Sequence, residues 1–300
     1  MKNLPVGSPA EFKCPVCCGG KSAFVQVYSG HSDCFFGLII VRCLGCGHRT
    51  SIPRIPEDRL AKFYQNVYFD KSYESKKHDF LVRQAAGRAS FIASNATFKK
   101  NETLRALDFG AGFGHIGNEL RSRFNRKKVI YDVVETNQWA LDYLIAHKNH
   151  INFIAGDLSD IKCSNYDLII LSHVLEHFNN PLCFLSEISK KMSPEGIIFI
   201  ETPNEDDLWK AEQEPHLQFF SMQSLGKMLV AAGFAITRQD TCGDPIEDIL
   251  MRRELKGKVS EKAKAKALKV KRLQEFDAYG GNRRWIRCLC AKSNNNCSLN

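Results

Sequence analysis

The chain has 300 residues, a length that suits about two domains with a sizeable core, and its 44% hydrophobic and 25% charged content is that of an ordinary globular protein. Its longest apolar runs, Phe35 to Val41 and Met228 to Ile236, fall far short of the roughly 20 residues that cross a bilayer, and the opening MKNLPVGSPAEF lacks an apolar secretory core, so a cytoplasmic protein without a membrane span is expected. The formal charge of +9 is local: between Arg252 and Arg272 ten basic side chains stand against Glu254 and Glu261, which leaves the rest nearly neutral and excludes a broad nucleic-acid-binding face.

Six of the 12 cysteines lie in the first 46 residues. In a reducing compartment, paired cysteines point to metal before disulfide. Cys14-Pro-Val-Cys17 and Cys43-Leu-Gly-Cys46 are two C-x-x-C turns, each followed closely by glycine, and together they supply the four thiolates of a tetrahedral zinc site. The stretch between them alternates like a short hairpin that would bring the turns together, which predicts a zinc ribbon over residues 1–56. With four thiolates the metal has no open position, so the zinc is expected to be structural. Cys18, Cys34, His31 and His48 are expected bystanders.

IPRIPEDRL is a proline-punctuated linker that opens into a helical stretch running through AKFYQNVYF to ASFIAS, within residues 57–100. Tyr64 and Tyr68 stand at i and i+4, where they would share one helix face, either as packing residues or as the lid of a site.

From Thr103 apolar runs alternate with helical segments. Strands are predicted at Leu104 to Phe109, Val129 to Glu135, Ile151 to Ile154, Asp167 to Leu171 and Gly196 to Glu201. That alternation predicts an α/β fold, a parallel sheet with helices on both faces and its ligand at the carboxyl ends of the strands. The first strand runs into Asp108-Phe-Gly110-Ala-Gly112-Phe-Gly114, whose glycines permit a tight turn and close approach of a ligand to bare backbone. Gly112, Gly114 and Gly117 also satisfy G-x-G-x-x-G, so a dinucleotide is a competing reading at this point. Glu135 ends the second strand, where a carboxylate can accept from ribose hydroxyls, and Asp157 follows the third.

The set D-x-G-x-G-x-G, the acid Glu135, Gly156-Asp157, then YDLIILSHVLEH and SPEGIIFIETPN resembles the class I S-adenosylmethionine-dependent methyltransferases of the small-molecule type. The resemblance covers about residues 80 to 292. It implies a Rossmann-like seven-stranded sheet over residues 101–292, with a sixth strand near Phe234 to Arg238 and a final antiparallel strand at 284 to 292. It also implies that Gly110, Gly112, Gly114 and Ser172 line the methyl donor, that Glu135 holds its ribose, that Asp157 meets adenine and that Asp108 orients the methionine end.

Methyl transfer needs an aligned nucleophile and, for a hydroxyl or carbon acid, removal of a proton. The candidate bases are His173, Glu176, His177 and His216; the first three, at i, i+3 and i+4, are expected on one helix face. Quinone O-methyltransferases resemble this segment and place a cation on an acid-x-x-acid-His pattern, whose first position here is His173. Glu214-Pro-His216-Leu-Gln-Phe-Phe-Ser221 resembles a loop of methyltransferases acting on sugars, which makes His216 the first candidate for general base; its alternative role is to cap the helix starting near Ser221. A four-cysteine module ahead of this domain is similar to the nucleotide-sugar C-methyltransferases, with Pro215 in place of that family's glutamate. The expected acceptor is therefore a nucleotide-linked or polysaccharide-precursor sugar, methylated on oxygen or carbon. An RNA methyltransferase that holds nucleic acid with the ribbon and the basic segment is the alternative, and a non-catalytic binding protein is a third. The basic insertion, 252–276, is expected to form an amphipathic helix, and residues 293–300 a disordered tail.

Overall fold

The computed structural model describes residues 12–69, 72–98, 102–254 and 279–293. The basic run beyond residue 254 and the tail from residue 294 lie outside the described residues, and with them the helix and the disorder expected there.

Three strands form the N-terminal module: β1 (Ser22–Val27), β2 (Ile39–Cys43) and β3 (Arg49–Ile52). β1 and β2 pair antiparallel as the alternating pattern predicts, with Ser22 opposite Cys43. Two helices follow, α1 (Glu57–Asn66) and α2 (Tyr73–Asn95), where the sequence suggested one continuing stretch.

Then come β4 (Thr103–Phe109), α3 (His115–Arg123), β5 (Lys128–Val134), α4 (Gln138–Ala146), β6 (Phe153–Ala155), β7 (Tyr166–Ser172), α5 (Pro181–Ser189), β8 (Met192–Pro203), β9 (Gln218–Phe219), α6 (Met222–Ala231), β10 (Phe234–Pro245), α7 (Ile246–Glu254) and β11 (Arg283–Lys292). A seven-stranded sheet runs in the order β10-β11-β8-β7-β4-β5-β6. β6, β5, β4, β7 and β8 are parallel to their neighbours, while β11 inserts antiparallel between β8 and β10. The five strands predicted for the parallel sheet are present, with ends shifted by a few residues, and the antiparallel last strand is where the resemblance put it. α2 and α3 bury Ala85, Ala89, Ile92, Ile116 and Leu120 in one core with β4, β5, β7 and β8; α5 and α6 bury Leu185, Ile188, Leu225 and Met228 in another.

The N-terminal module is not a separate bead. β9, drawn from the loop between β8 and α6, pairs antiparallel with β3, Arg49 opposite Phe219 and Thr50 opposite Gln218. Leu217 and Phe219 sit in the module's own core with Tyr28, Phe35, Ile40 and Phe63. Cys14, Val16, Cys43 and Cys46 pack into the core of the large domain beside Phe220 and Leu225. Among the described residues no helix is long and apolar enough to cross a membrane.

Candidate active site at the carboxyl edge of the sheet

Asp108 is the next-to-last residue of β4. It is 1% exposed, and its Oδ2 accepts from the Tyr131 hydroxyl at 2.5 Å, while Oδ1 is buried without a hydrogen-bond partner. Burial pushes its carboxyl up to about 7, against the opposing pull of the Tyr131 hydroxyl and of Arg88. An orphaned carboxylate oxygen at a strand end costs free energy unless a ligand satisfies it. The chain then turns through Gly110, Gly112 and Gly114, all with positive φ. At Gly110 a side chain would be doubly excluded, since its φ is +68° and a Cβ would come within 2.9 Å of Val174. Gly117, the last glycine of the competing dinucleotide frame, packs α3 on β5: a Cβ there would lie 2.5 Å from the Tyr131 ring.

Glu135 follows β5 and is buried. Its Oε2 accepts from the Gly112 amide at 2.7 Å and its Oε1 from the Thr136 and Asn137 amides at 2.8 Å each, so the acid fastens the glycine turn to β5. Burial raises its pKa, and these three amides oppose the rise. Ser172, at the end of β7, has a buried hydroxyl with no partner. Asp157 stands apart at the exposed edge, where Oδ1 accepts from the Ser159 amide and caps a short 3-10 turn; that bond lowers its pKa. Asp108 and Ser172 thus leave unsatisfied polar atoms at adjacent strand ends beside a turn free of side chains, the features a cationic nucleoside ligand would fill. The rings of Phe69, Tyr73 and Phe113 gather over the turn, Phe69 lying 5.3 Å and Tyr73 6.2 Å from Phe113 by ring centroids.

His173, Glu176 and His177 do not share an α-helical face. His173 has φ +56°, and a 3-10 turn covers Leu175 to His177. Glu176, in that turn, is fully buried. His173 places Nδ1 3.2 Å from Glu176 and Nε2 3.1 Å from Glu201. Although burial lowers its pKa, the two carboxylates outweigh that and raise it. Glu201 also receives Arg88 and Arg287, at 2.7 and 2.6 Å, in a fully buried cluster. Glu176 accepts from Thr202 at 3.0 Å and is held at about 2 by His173 and His177 despite its burial. His177 lies 2.8 Å from the Tyr64 hydroxyl, and burial brings it down to about 3. Tyr64 and Tyr68 stack edge to face at 5.4 Å and both contact the His177 ring, although Tyr68 lies beyond the end of α1.

His216 comes from the loop between β8 and β9. Its Nδ1 is 2.6 Å from Asp206 Oδ2, and its ring is 5.0 Å from His177. It does not cap α6: Ser221 and Ser224 form that helix's capping box themselves. One donor atom each from Glu176, His177 and His216 lies within 4.8 Å of the other two. Burial raises the Asp206 carboxyl, but His216 and Lys210 bring it below its ordinary value. The Tyr28 hydroxyl, reaching in from the N-terminal module, is buried without a partner. Asp206, Glu201 and Arg287 carry no local signal in the sequence, because each meets its partners only in the folded chain.

The loop carrying His216 is clamped by the N-terminal module. Arg49 makes two bonds to Asp207, at 2.6 and 3.0 Å, and one to Glu205 at 3.0 Å. The Glu214 carboxylate accepts from the His31 and Ser32 amides and the Ser32 hydroxyl. His48, expected as a bystander, is buried between Ser224 and Gln218 at 3.3 and 3.0 Å. In the same module Cys14, Cys17, Cys43 and Cys46 bring their sulfurs within 4.8 Å of one another, with 3.5 Å across the pairs Cys14 with Cys46 and Cys17 with Cys43. Sulfurs about 3.8 Å apart surround a tetrahedral zinc, so the set fits Zn2+. Gly19 supplies the room, for a Cβ there would stand 3.3 Å from the Cys17 sulfur.

A family model described as a methyltransferase domain matches residues 81–239, slightly more than half of the 300. The ubiquinone biosynthesis O-methyltransferase of Rickettsia canadensis is 29% identical over 157 residues, which are 50% of this chain and 64% of that relative, so the chain spans less than two thirds of its length. Among solved structures, a chain of the complex between the Haloferax volcanii Trm112 methyltransferase activator and a methyltransferase superposes with TM-score 0.52 at 17% identity, over 74% of this chain and 97% of that one. The plantazolicin methyltransferase BpumL in complex with SAH superposes with TM-score 0.50 at 14% identity, over 78% of this chain and 94% of its own. These two likenesses concern the fold.

Proposed function

The chain belongs to the methyltransferase-domain family, and from that premise we propose that it transfers a methyl group from S-adenosylmethionine to a hydroxyl or acidic carbon of a small polar acceptor, a nucleotide-linked or polysaccharide-precursor sugar. The donor, when bound, supplies an electrophilic methyl on a sulfonium. Asp108 Oδ1 and Ser172 are the groups left for its methionine end, the turn through Gly110, Gly112 and Gly114 gives it close approach, and Glu135 and Asp157 are assigned to ribose and adenine.

The observation that carries the proton-removal step is the Asp206–His216 pair. A carboxylate on Nδ1 fixes the tautomer whose Nε2 is an acceptor, and it stabilises the imidazolium that forms when Nε2 takes a proton. His216 is thus assigned as general base. Glu176, beside it, supplies negative charge that favours the protonated product. His173, with both nitrogens on carboxylates, is assigned to positioning Glu176. The name of the Rickettsia relative favours oxygen as the acceptor atom, and the resemblance of the four-cysteine module favours a nucleotide-linked sugar. Zinc on Cys14, Cys17, Cys43 and Cys46 is assigned a structural role, holding the strands that clamp the His216 loop.

The test is calorimetric titration with S-adenosylhomocysteine, alone and with nucleoside diphosphate-sugars or short RNA, followed by turnover on any acceptor that tightens binding. Tightening by a nucleotide sugar, and turnover lost in His216→Ala, is the expected result. Tightening by RNA alone, abolished at moderate salt, would replace the acceptor class. Absence of nucleoside binding would overturn the reading.

A further inference from the structure

Away from the proposed acceptor pocket, the first turns of α2 and the first residue of α3 bring together a carboxylate and two imidazoles. Glu74 and His78 stand at i and i+4 on α2, hence on one face of that helix, and His115 follows Gly114 at the start of α3. One ligand atom from each lies within 4.8 Å of the other two. The Glu74 Oε1 to His115 Nε2 distance is 3.4 Å, whereas His78 Nδ1 is hydrogen-bonded to Glu74 Oε1 at 2.5 Å, a contact that would widen around a metal. Nitrogen and oxygen ligands of a tetrahedral zinc sit about 3.4 Å apart. The His115 Nε2 is a buried atom with no hydrogen-bond partner, and its distance to Glu74 lacks the alignment of one. A buried imidazole nitrogen left in this state is one that a cation would satisfy. The Tyr143 hydroxyl donates to Glu74 Oε1 at 3.3 Å, the kind of outer contact that orients a ligating carboxylate.

We propose that Glu74, His78 and His115 form a second metal site, distinct from the four-cysteine set, that takes one transition-metal dication such as Zn2+ or Co2+. Two imidazoles and one carboxylate suit such ions and disfavour Mg2+ and Ca2+, which prefer all-oxygen shells. With three protein ligands the ion keeps at least one position for water. The ion would join the start of α2 to the residue that follows the glycine turn, in the seam where Tyr73 stacks on Phe113. It would therefore sit beside the glycine turn, at the cofactor edge of the sheet.

The test is titration of the full chain, its cysteine set loaded with zinc, with Co2+, read by visible absorption and by amide hydrogen exchange. The expected result is one further equivalent of cobalt with d–d bands and no thiolate charge-transfer band, accompanied by slower exchange over residues 74–80. Binding should weaken at least tenfold in both Glu74→Gln and His78→Ala and persist in Cys46→Ser. The His78 side chain is 53% exposed, so His78→Ala keeps the fold, and an unchanged circular-dichroism spectrum of that variant checks it. No further equivalent in the wild-type chain, or an equivalent retained by both variants, would overturn the site. A cobalt spectrum with thiolate bands would overturn it equally, because it places the metal on cysteines.

Discussion

Asp206 Oδ2 lies 2.6 Å from His216 Nδ1, and both side chains are buried on a loop that contributes one strand to a sheet of the N-terminal module. The pair is therefore aimed by residues far away in the chain. Removal of the proposed base, His216→Ala, should lower kcat by about 100- to 10,000-fold, the usual worth of general base catalysis, with S-adenosylhomocysteine affinity unchanged. Asp206→Asn should lower kcat as well, because the imidazolium formed in proton removal loses its counter-charge. Steady-state kinetics checks both, and an unaltered kcat in the asparagine variant would detach Asp206 from the chemistry.

The bidentate Arg49–Asp207 pair is the electrostatic tie between β3 and that loop. Asp207 is fully buried and Arg49 nearly so. Arg49→Ala strands a buried carboxylate and should cost about 3–5 kcal/mol of stability. Chemical denaturation measures the loss, and Arg49→Ala combined with Asp207→Asn should recover part of it.

The proposed role of Asp108 at the methionine end predicts that donor binding depends on pH. Its carboxyl is raised to about 7 in the free protein, so at pH 6 it is mostly protonated and cannot pair with an ammonium group. Bound cation favours the carboxylate, so affinity for S-adenosylhomocysteine should rise as pH rises from 6 to 8. Calorimetry in Asp108→Asn should show weaker binding and a flat profile over the same range.

His48 makes stability, in turn, depend on pH. Burial lowers its pKa to about 4, below that of the unfolded chain, so between roughly pH 6.5 and 4 the unfolded state binds more protons. Its share of stability is complete above the unfolded value and disappears as pH falls through that window. Thermal melts of the wild-type chain and His48→Gln should converge as pH is lowered from 7 to 4.

Zinc analysis should return one metal per chain from the four-cysteine set. Cys46→Ser or chelation should lower turnover more than S-adenosylhomocysteine affinity, since the module holds the His216 loop whereas the glycine turn is fastened by Glu135. Equal loss of both would make the module a folding requirement of the whole chain.

Local chemistry made much of this legible in the sequence. The βα alternation, the glycines of the turn, the acid Glu135 twenty-one residues after Gly114 and the doubled C-x-x-C are short-range signals, because strand period, turn geometry and metal-ligand spacing are all set within a few residues. What only the tertiary structure decided are relations between residues distant in the chain. The capture of Gln218 and Phe219 by β3, the burial of Arg49 against Asp207 and the meeting of His173, Arg88 and Arg287 on Glu201 rest on pairing and packing that no local period encodes. The turn at His173 to His177 shows the same limit: its spacing read as one helical face, yet the need to bury Glu176 between His173 and Thr202 drew the chain into a left-handed step and a 3-10 turn.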